Sequence, residues 1–293
     1  MAAPELIPGQ IAALRERLDP TTNELLLDHD CMRFLRARQM DVERAAEMSN
    51  AWGVWVQTPL VGSQQGRTPL NILHDIDDPN EHFYASLCPH SIVGEDREGR
   101  PIFWEKTGAC AANYSQIKKD LNNETLIARH IWIQSLMGCR LKQMSEKHGI
   151  KIEKTNVVFD MSGLQFSPDM DSIRYCIAML HVDQNYFPES LNSIFVINAP
   201  WYFTAIYALV TPFMDAVTRS KFQIYGSDYF SVLIENISED NIPVDYGGKL
   251  EVRWGFPYPD LSHEEIIRLR NHSELRMKGN DAEISSSIDD TNT

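Results

Sequence analysis

Three side chains in the second half of the chain have the types needed to hold a charged, hydroxyl-bearing ligand. Glu189 stands in "YFPES", and Thr218 and Lys221 stand in "TRSK". A phosphodiester carries one negative charge and several acceptors. Out of water it needs a cation and hydrogen-bond donors, because an unpaired buried charge costs several kcal/mol. Lysine and threonine supply them. An inositol ring adds hydroxyl donors, which a carboxylate such as Glu189 accepts. Taken singly, each residue also reads as an ordinary surface side chain, and both readings stay open at this point.

Catalytic patterns are missing. There is no GxSxG, HExxH, GxxxxGKS/T or GxGxxG, and the nine histidines are scattered without metal-ligand spacing. "SQIK" (Ser115 to Lys118) and "KTG" (Lys106 to Gly108) occur in reversed order relative to the enzymes that pair such elements, so chance explains them. Asp160 ends an apolar strand but has no evident base or nucleophile beside it. It reads as a cap on the following turn. We expect no enzyme activity, no metal and no redox cofactor.

The segment that delivers Thr218 and Lys221 is "FVINAPWYFTAIYALVTPFMDAVTRSK", Phe195 to Lys221. "SIFVINA" reads as a buried strand ended by Pro200, which lacks a ladder donor. The helix that follows places Phe203, Ile206, Tyr207, Val210 and Met214 on one face, with Ala205, Ala208 and Leu209 opposite. A helix apolar all round is either a core helix or one that meets lipid. Around this segment, short apolar strands alternate with helices: Ile102 to Lys106, Glu124 to Lys147, Thr155 to Asp160, Asp169 to Asn185, Ser193 to Ala199 and Phe222 to Gly226. That alternation predicts an α/β fold with a largely parallel sheet covered by helices. Upstream, Leu6 to Pro59 reads as helical, with Asp30 and Asp41 as N-caps and Val42, Ala45, Ala46, Ala51, Trp52 and Trp55 on one apolar face. "VGSQQGRT" (Val61 to Thr68) reads as a boundary loop. The expected division is a helical N-terminal lobe over 1–70, a ligand-binding domain over 71–252 and an extension over 253–293, disordered from about residue 273.

The net charge of −14 excludes a general nucleic-acid binder, which needs a basic face, although it leaves room for a local basic pocket. No window approaches the roughly 18 apolar residues of a membrane helix. Five widely spaced cysteines without a CxxC read as reduced, buried thiols, and the N-terminus does not read as a signal peptide. A cytoplasmic location is therefore expected.

Several stretches together resemble the CRAL-TRIO lipid-transfer family: "RFLRARQMDVERA", "DREGRPIFW", "VVFDMSGL", "QNYFPESLNSIFVINAPWYFTAIYALVTPFMDAVTRSK" and "NIPVDYGG". The branch most similar is that of the phosphatidylinositol/phosphatidylcholine transfer proteins, and the likeness runs from about Asp28 to Leu250. The resemblance implies a deep apolar pocket closed by a gating helix, here about Phe203 to Val217, with Phe203, Ile206, Tyr207, Val210, Phe213 and Met214 as gate residues. It implies a phosphatidylinositol headgroup site at Arg38, Glu189, Thr218 and Lys221. It also implies a second-ligand pocket at Ile92, Phe103, Gln134, Thr155 and Val157. In that branch the second pocket is rich in hydroxyls, and only Thr155 keeps one here. A choline cation favours aromatic faces, and Phe103 alone offers few. A sterol-, tocopherol- or retinoid-like second guest, or phosphatidylinositol alone, is therefore an alternative to phosphatidylcholine. The expected role is binding of one phospholipid and its exchange between membrane surfaces through transient association. A lipid-sensing scaffold that presents lipid to a kinase or another protein partner is the competing role.

Overall fold

The computed structural model describes residues 6–73, 78–167, 169–255, 258 and 261–276. Four helices come first: α1 (Pro8–Arg15), α2 (Pro20–Leu25), α3 (Asp28–Ala37) and α4 (Val42–Gln57). Their apolar faces meet in one cluster that includes Leu14, Cys31, Phe34, Leu35, Ala45 and Met48. Asp41 caps α4 as expected, its carboxylate accepting from the Arg44 amide at 3.1 Å. Asp30 is not the N-cap of α3. The helix starts earlier, at Asp28, and the Asp30 carboxylate accepts from the Leu27 amide at 3.2 Å. In α4 the buried stripe runs through Ala45, Ala46, Ser49, Gly53 and Val56, while Ala51 is exposed. Gly53 is required there, because a Cβ would sit 2.0 Å from Thr22 Oγ1.

Helix α5 (Glu81–Leu87) leads into a five-stranded sheet of order β1 (His90–Glu95), β2 (Pro101–Glu105), β3 (Thr155–Asp160), β4 (Leu191–Ile197) and β5 (Phe222–Ile224). β1 and β2 form an antiparallel hairpin, and every later pairing is parallel. Parallel neighbours need crossovers. Helices α6 (Thr107–Asp120) and α7 (Asn123–His148) carry the chain from β2 to β3, and α8 (Met170–Tyr186) carries it from β3 to β4. Between β4 and β5 lie α9 (Phe203–Val210) and α10 (Ala216–Ser220). Helix α11 (Phe230–Asn236) and the turns after it follow. The gate element breaks after Val210. Pro212 lies in a short 3-10 turn, Thr211–Phe213, and Met214 is extended before α10 begins.

Helix α12 (His263–Arg276) packs Ile266 and Leu269 into the cluster around α7, together with Leu261. It runs three residues past Ser273, where order was expected to end, and residues 277–293 lie outside the described residues. No described helix is long and apolar enough to cross a membrane.

The two faces of the sheet differ. One face buries Val93, Ile102, Trp104, Val158, Phe195 and Ile197 in a single cluster closed by α11 and Tyr246. The other face carries the cross-strand row Ile92, Phe103, Val157, Ile194 and Phe222, set by the strand register. Here Phe103, Val157 and Phe159 are only half-buried, although they lie on interior strands. The apolar side chains around them fall into separate clusters and leave Ile127, Met179 and Tyr207 partly uncovered. On an interior strand, accessible area means incomplete cover above the sheet at these positions, although Ile92 and Ile194 in the same row are buried.

Candidate functional site

The register of β3 and β4 sets Thr155 opposite Leu191, so the residues just before each strand come together. Lys154 precedes β3 and Glu189 precedes β4, and their side chains pair at 2.8 Å. Lys221 stands directly before β5, which continues the same edge. Burial raises the Glu189 carboxyl. The Lys154 hydrogen bond and charge, with Lys221 and Arg36 behind them, outweigh burial and hold it below its ordinary value. Lys221 is displaced downward, by burial first, with Glu189 opposing and the like charge of Lys154 adding. The result is a half-buried cluster of two ammonium groups around one carboxylate. Such a cluster suits an anion that brings its own hydroxyls.

Glu189 has φ +57°, in the left-handed region that costs a non-glycine residue about 1 kcal/mol or more. The turn is held from the N-terminal helices: Arg33 on α3 donates twice to the Pro188 carbonyl, at 3.1 and 2.9 Å. Thr218 lies on α10 one turn before Lys221. Its amide and hydroxyl both donate to Asp215, at 2.8 and 2.6 Å. Burial raises Asp215, but the Thr218 bonds and the Lys221 charge keep it low.

The structure therefore brings Glu189 and Lys221 together, with Thr218 linked through Asp215. Arg38 stands apart. Its guanidinium donates to the Ala37 carbonyl at 3.2 Å and lines a cavity of about 410 Å³ with Arg44, Glu47, His181, Asn185 and Tyr186. Sequence reasoning missed Lys154 and Arg36. Lys154 could have been found only by placing the start of β3 beside that of β4.

Of the second-pocket residues, Ile92, Phe103 and Val157 share the incompletely covered face, and Thr155 lies two residues before Val157 on the same strand. Gln134 on α7 donates to Asp183 of α8 at 2.9 Å, beside His130, which pairs with the same carboxylate at 2.8 Å. Of the gate residues, Phe203 and Met214 are buried, while Ile206, Tyr207 and Val210 are half-buried. Phe213 does not face inward: it is 53% exposed, because the Pro212 turn swings it to the outer side. The outer surface is also apolar, with Leu209 and Val217 exposed and Trp201 84% exposed, its ring packed against Phe166 and Tyr202.

Asp160 acts as a cap. It accepts from the Ser162 amide and hydroxyl, the Asn198 amide group and the Tyr246 hydroxyl. Lys106 of the chance KTG match is engaged by Asp245 and the Trp254 ring. Among the described residues no cluster of histidine, cysteine and carboxylate groups could hold a metal.

The profile of the CRAL/TRIO domain matches residues 89–248, from the start of β1 to the turn after α11. The SEC14 cytosolic factor of Candida glabrata is 32% identical over 244 residues, which are 83% of this chain and 75% of that protein. The phosphatidylinositol/phosphatidylcholine transfer protein SFH7 of Arabidopsis thaliana is 27% identical over 82% of this chain and 42% of its own length. Among solved structures, the crystal structure of Sfh5 superposes with a TM-score of 0.63 at 15% identity, covering 88% of this chain and 83% of that one, which speaks to the fold alone. With the mixed sheet, the unfilled face and the broken helix beside it in place, the extent of these matches shows that the chain belongs to the CRAL/TRIO family, among its Sec14-like members.

Proposed function

We propose that the protein encloses one lipid molecule, phosphatidylinositol, between the incompletely covered face of the sheet and α9, and exchanges it between membrane surfaces. The observation that carries this reading is the half-burial of Phe103, Val157 and Phe159 at the centre of the sheet. The anionic end of the lipid would lie at the strand edge near Lys221, with Thr218, Glu189 and Arg38 contributing and its hydroxyls accepted by Glu189. The kinship with transfer proteins named for phosphatidylinositol supports the choice of headgroup.

The energetics favour such a compartment. Two acyl chains hold roughly 30 methylenes at about 0.8 kcal/mol each, so escape into water costs on the order of 20 kcal/mol. An apolar pocket removes most of that barrier and leaves the headgroup contacts to choose the lipid. The role of α9 is to open at a membrane and close in water, with the Pro212 turn as its hinge. No chemical step is assigned to the protein.

The apolar row Ile92, Phe103 and Val157 favours a second reading for the other guest: a sterol-, tocopherol- or retinoid-like molecule in place of phosphatidylcholine.

Mass spectrometry of lipids that co-purify with the protein, followed by transfer between donor and acceptor vesicles, tests the reading. Lys221→Ala is expected to lower phosphatidylinositol loading about tenfold while the protein stays folded, and Arg38→Ala is expected to lower it less. Unchanged loading in both refutes the headgroup assignment.

A further inference from the structure

Helix α9 and the residues after it are fastened in different ways. Among the described residues no hydrogen bond joins α9, Phe203–Val210, to a strand or to another α-helix. Apolar contacts hold it, with Phe203 in the cluster on β4 and the Tyr207 ring 5.2 Å from that of Phe222. Such contact is non-directional, so contact with an acyl chain can replace it. The stretch from Thr211 to Ser220 is tied by directed bonds instead. Gln184, in the last turn of α8, donates from Nε2 to the Phe213 carbonyl at 3.0 Å. Its Oε1 accepts from the Asp215 amide at 2.6 Å. Arg219 of α10 reaches back to the Thr211 and Met214 carbonyls, at 3.2 and 3.3 Å. The Pro212 turn and α10 therefore form one unit, and Gln184 moors that unit to α8. The mooring is itself braced, because the neighbouring Asp183 pairs with His130 and accepts from Gln134 of α7.

We propose that Gln184 is a positioning residue that keeps Thr218 and Lys221 in place while α9 opens. The moving joint then lies between Val210 and Thr211, where the α-helix ends and the Pro212 turn begins. The two bonds select an amide. The Phe213 carbonyl can only accept and the Asp215 amide can only donate, so the side chain between them must supply one group of each kind. A carboxylate would repel the carbonyl, and an apolar side chain would make neither bond. Asp215 in turn caps α10 and holds Thr218, so the bond at its amide bears on the residues that follow. With the unit moored, acyl chains pass α9 while the cation at the strand edge keeps its position. This inference rests on the reading of α9 as the moving part and of Lys221 as a headgroup residue, and it deepens both.

The test is amide hydrogen exchange of the full chain as purified, read by mass spectrometry, for wild type, Gln184→Leu and Gln184→Glu. Both variants should speed exchange over residues 211–221 about fivefold and change residues 203–210 by less than about twofold. Circular dichroism should show both folded. Gln184→Glu keeps the volume, so a role in packing alone would leave it like wild type and overturn the proposal. Arg174→Ala, an exposed change on the same helix, should exchange as wild type does. Unchanged exchange over 211–221 in both Gln184 variants overturns the proposal. So does faster exchange confined to 203–210, because Gln184 would then latch the gate itself. A second arm loads each protein from vesicles of equal phosphatidylinositol and phosphatidylcholine content. The variants should lose preference for phosphatidylinositol about fivefold at unchanged total lipid. Faster exchange over 211–221 with the preference intact overturns the role in placing Lys221. A wild type that shows no preference for phosphatidylinositol ends the headgroup reading instead, and the exchange pattern by itself then decides where the joint lies.

Discussion

On one face of the sheet, Val93, Ile102, Trp104, Val158, Phe195 and Ile197 are at most 3% exposed. On the other, strands β2 and β3 leave Phe103, Val157 and Phe159 half-buried. The residue types are alike, so hydrophobicity does not explain the difference. The cover does. The packed face is closed by one continuous cluster drawn from α11 and the chain after it. The uncovered face is bordered by three clusters, one around α7, one drawn from α5, α6 and α8, and one joining β4 to α9, that do not merge. Parallel sheets are normally buried on both faces. A fold that leaves one face short of cover forgoes packing energy there and gains a place for a guest.

The largest effect should come from truncating matched aromatics on the two faces of β2. In lipid-free protein, Trp104→Ala should cost about 3–5 kcal/mol in urea unfolding, because a fully buried indole leaves a cavity and a lost bond to the Val93 carbonyl. Phe103→Ala should cost about 1 kcal/mol, since its ring already borders free space. Equal costs would mean that the faces are equally packed and that the compartment does not exist.

Filling is the complementary experiment, on neighbouring residues of β3. Val157→Trp adds bulk to unfilled space. It should change stability by less than about 1 kcal/mol while cutting co-purifying lipid several-fold. Val158→Trp overpacks a site 1% exposed and should destabilise by about 1–3 kcal/mol or more. If Val157→Trp unfolds the protein as readily as Val158→Trp, the two faces of β3 are equally packed and no guest lies above Phe103 and Val157.

This contrast was only partly legible in the sequence. "TNVVFD" gave β3 to the residue, because a run of apolar β-formers ended by aspartate is what a buried parallel strand requires. β4 begins two residues earlier than its apolar run, at Leu191, since pairing with Thr155 and a register shift before Asn156 draw in polar residues. β1 was missed: it starts after Pro89 and contains Gly94 at φ +71°, so it lacks the alternation of a typical edge strand. A proline cannot continue a helix, so residue 212 itself marks the break, but its consequence, Phe213 turned outward, depends on the fold. Glu189 and Lys221 could be read as types suited to one ligand. Lys154 could not, because a lysine in the polar stretch "KIEK" gains meaning only from strand pairing with a residue 35 positions away.

The smallest effect tests the rim of the uncovered face. Lys154 and Glu189 are 35% and 16% exposed, so their pair contributes at most about 1 kcal/mol. Because the folded protein holds Glu189 below its ordinary value of 4.5, the stability it lends is fully present above that pH and fades as the pH falls through the lower folded value. Thermal unfolding of wild type and Lys154→Gln between pH 7 and pH 3 should therefore show a small gap at neutrality that closes in acid. Lys221→Gln should behave differently. Burial opposes the charge of Lys221 even beside Glu189, so removing it relieves a desolvation cost while it weakens the anion site. Its stability should stay level or rise slightly at neutral pH. A loss of stability in Lys221→Gln as large as that in Lys154→Gln would mean that both lysines serve the fold, leaving neither cation free for a ligand.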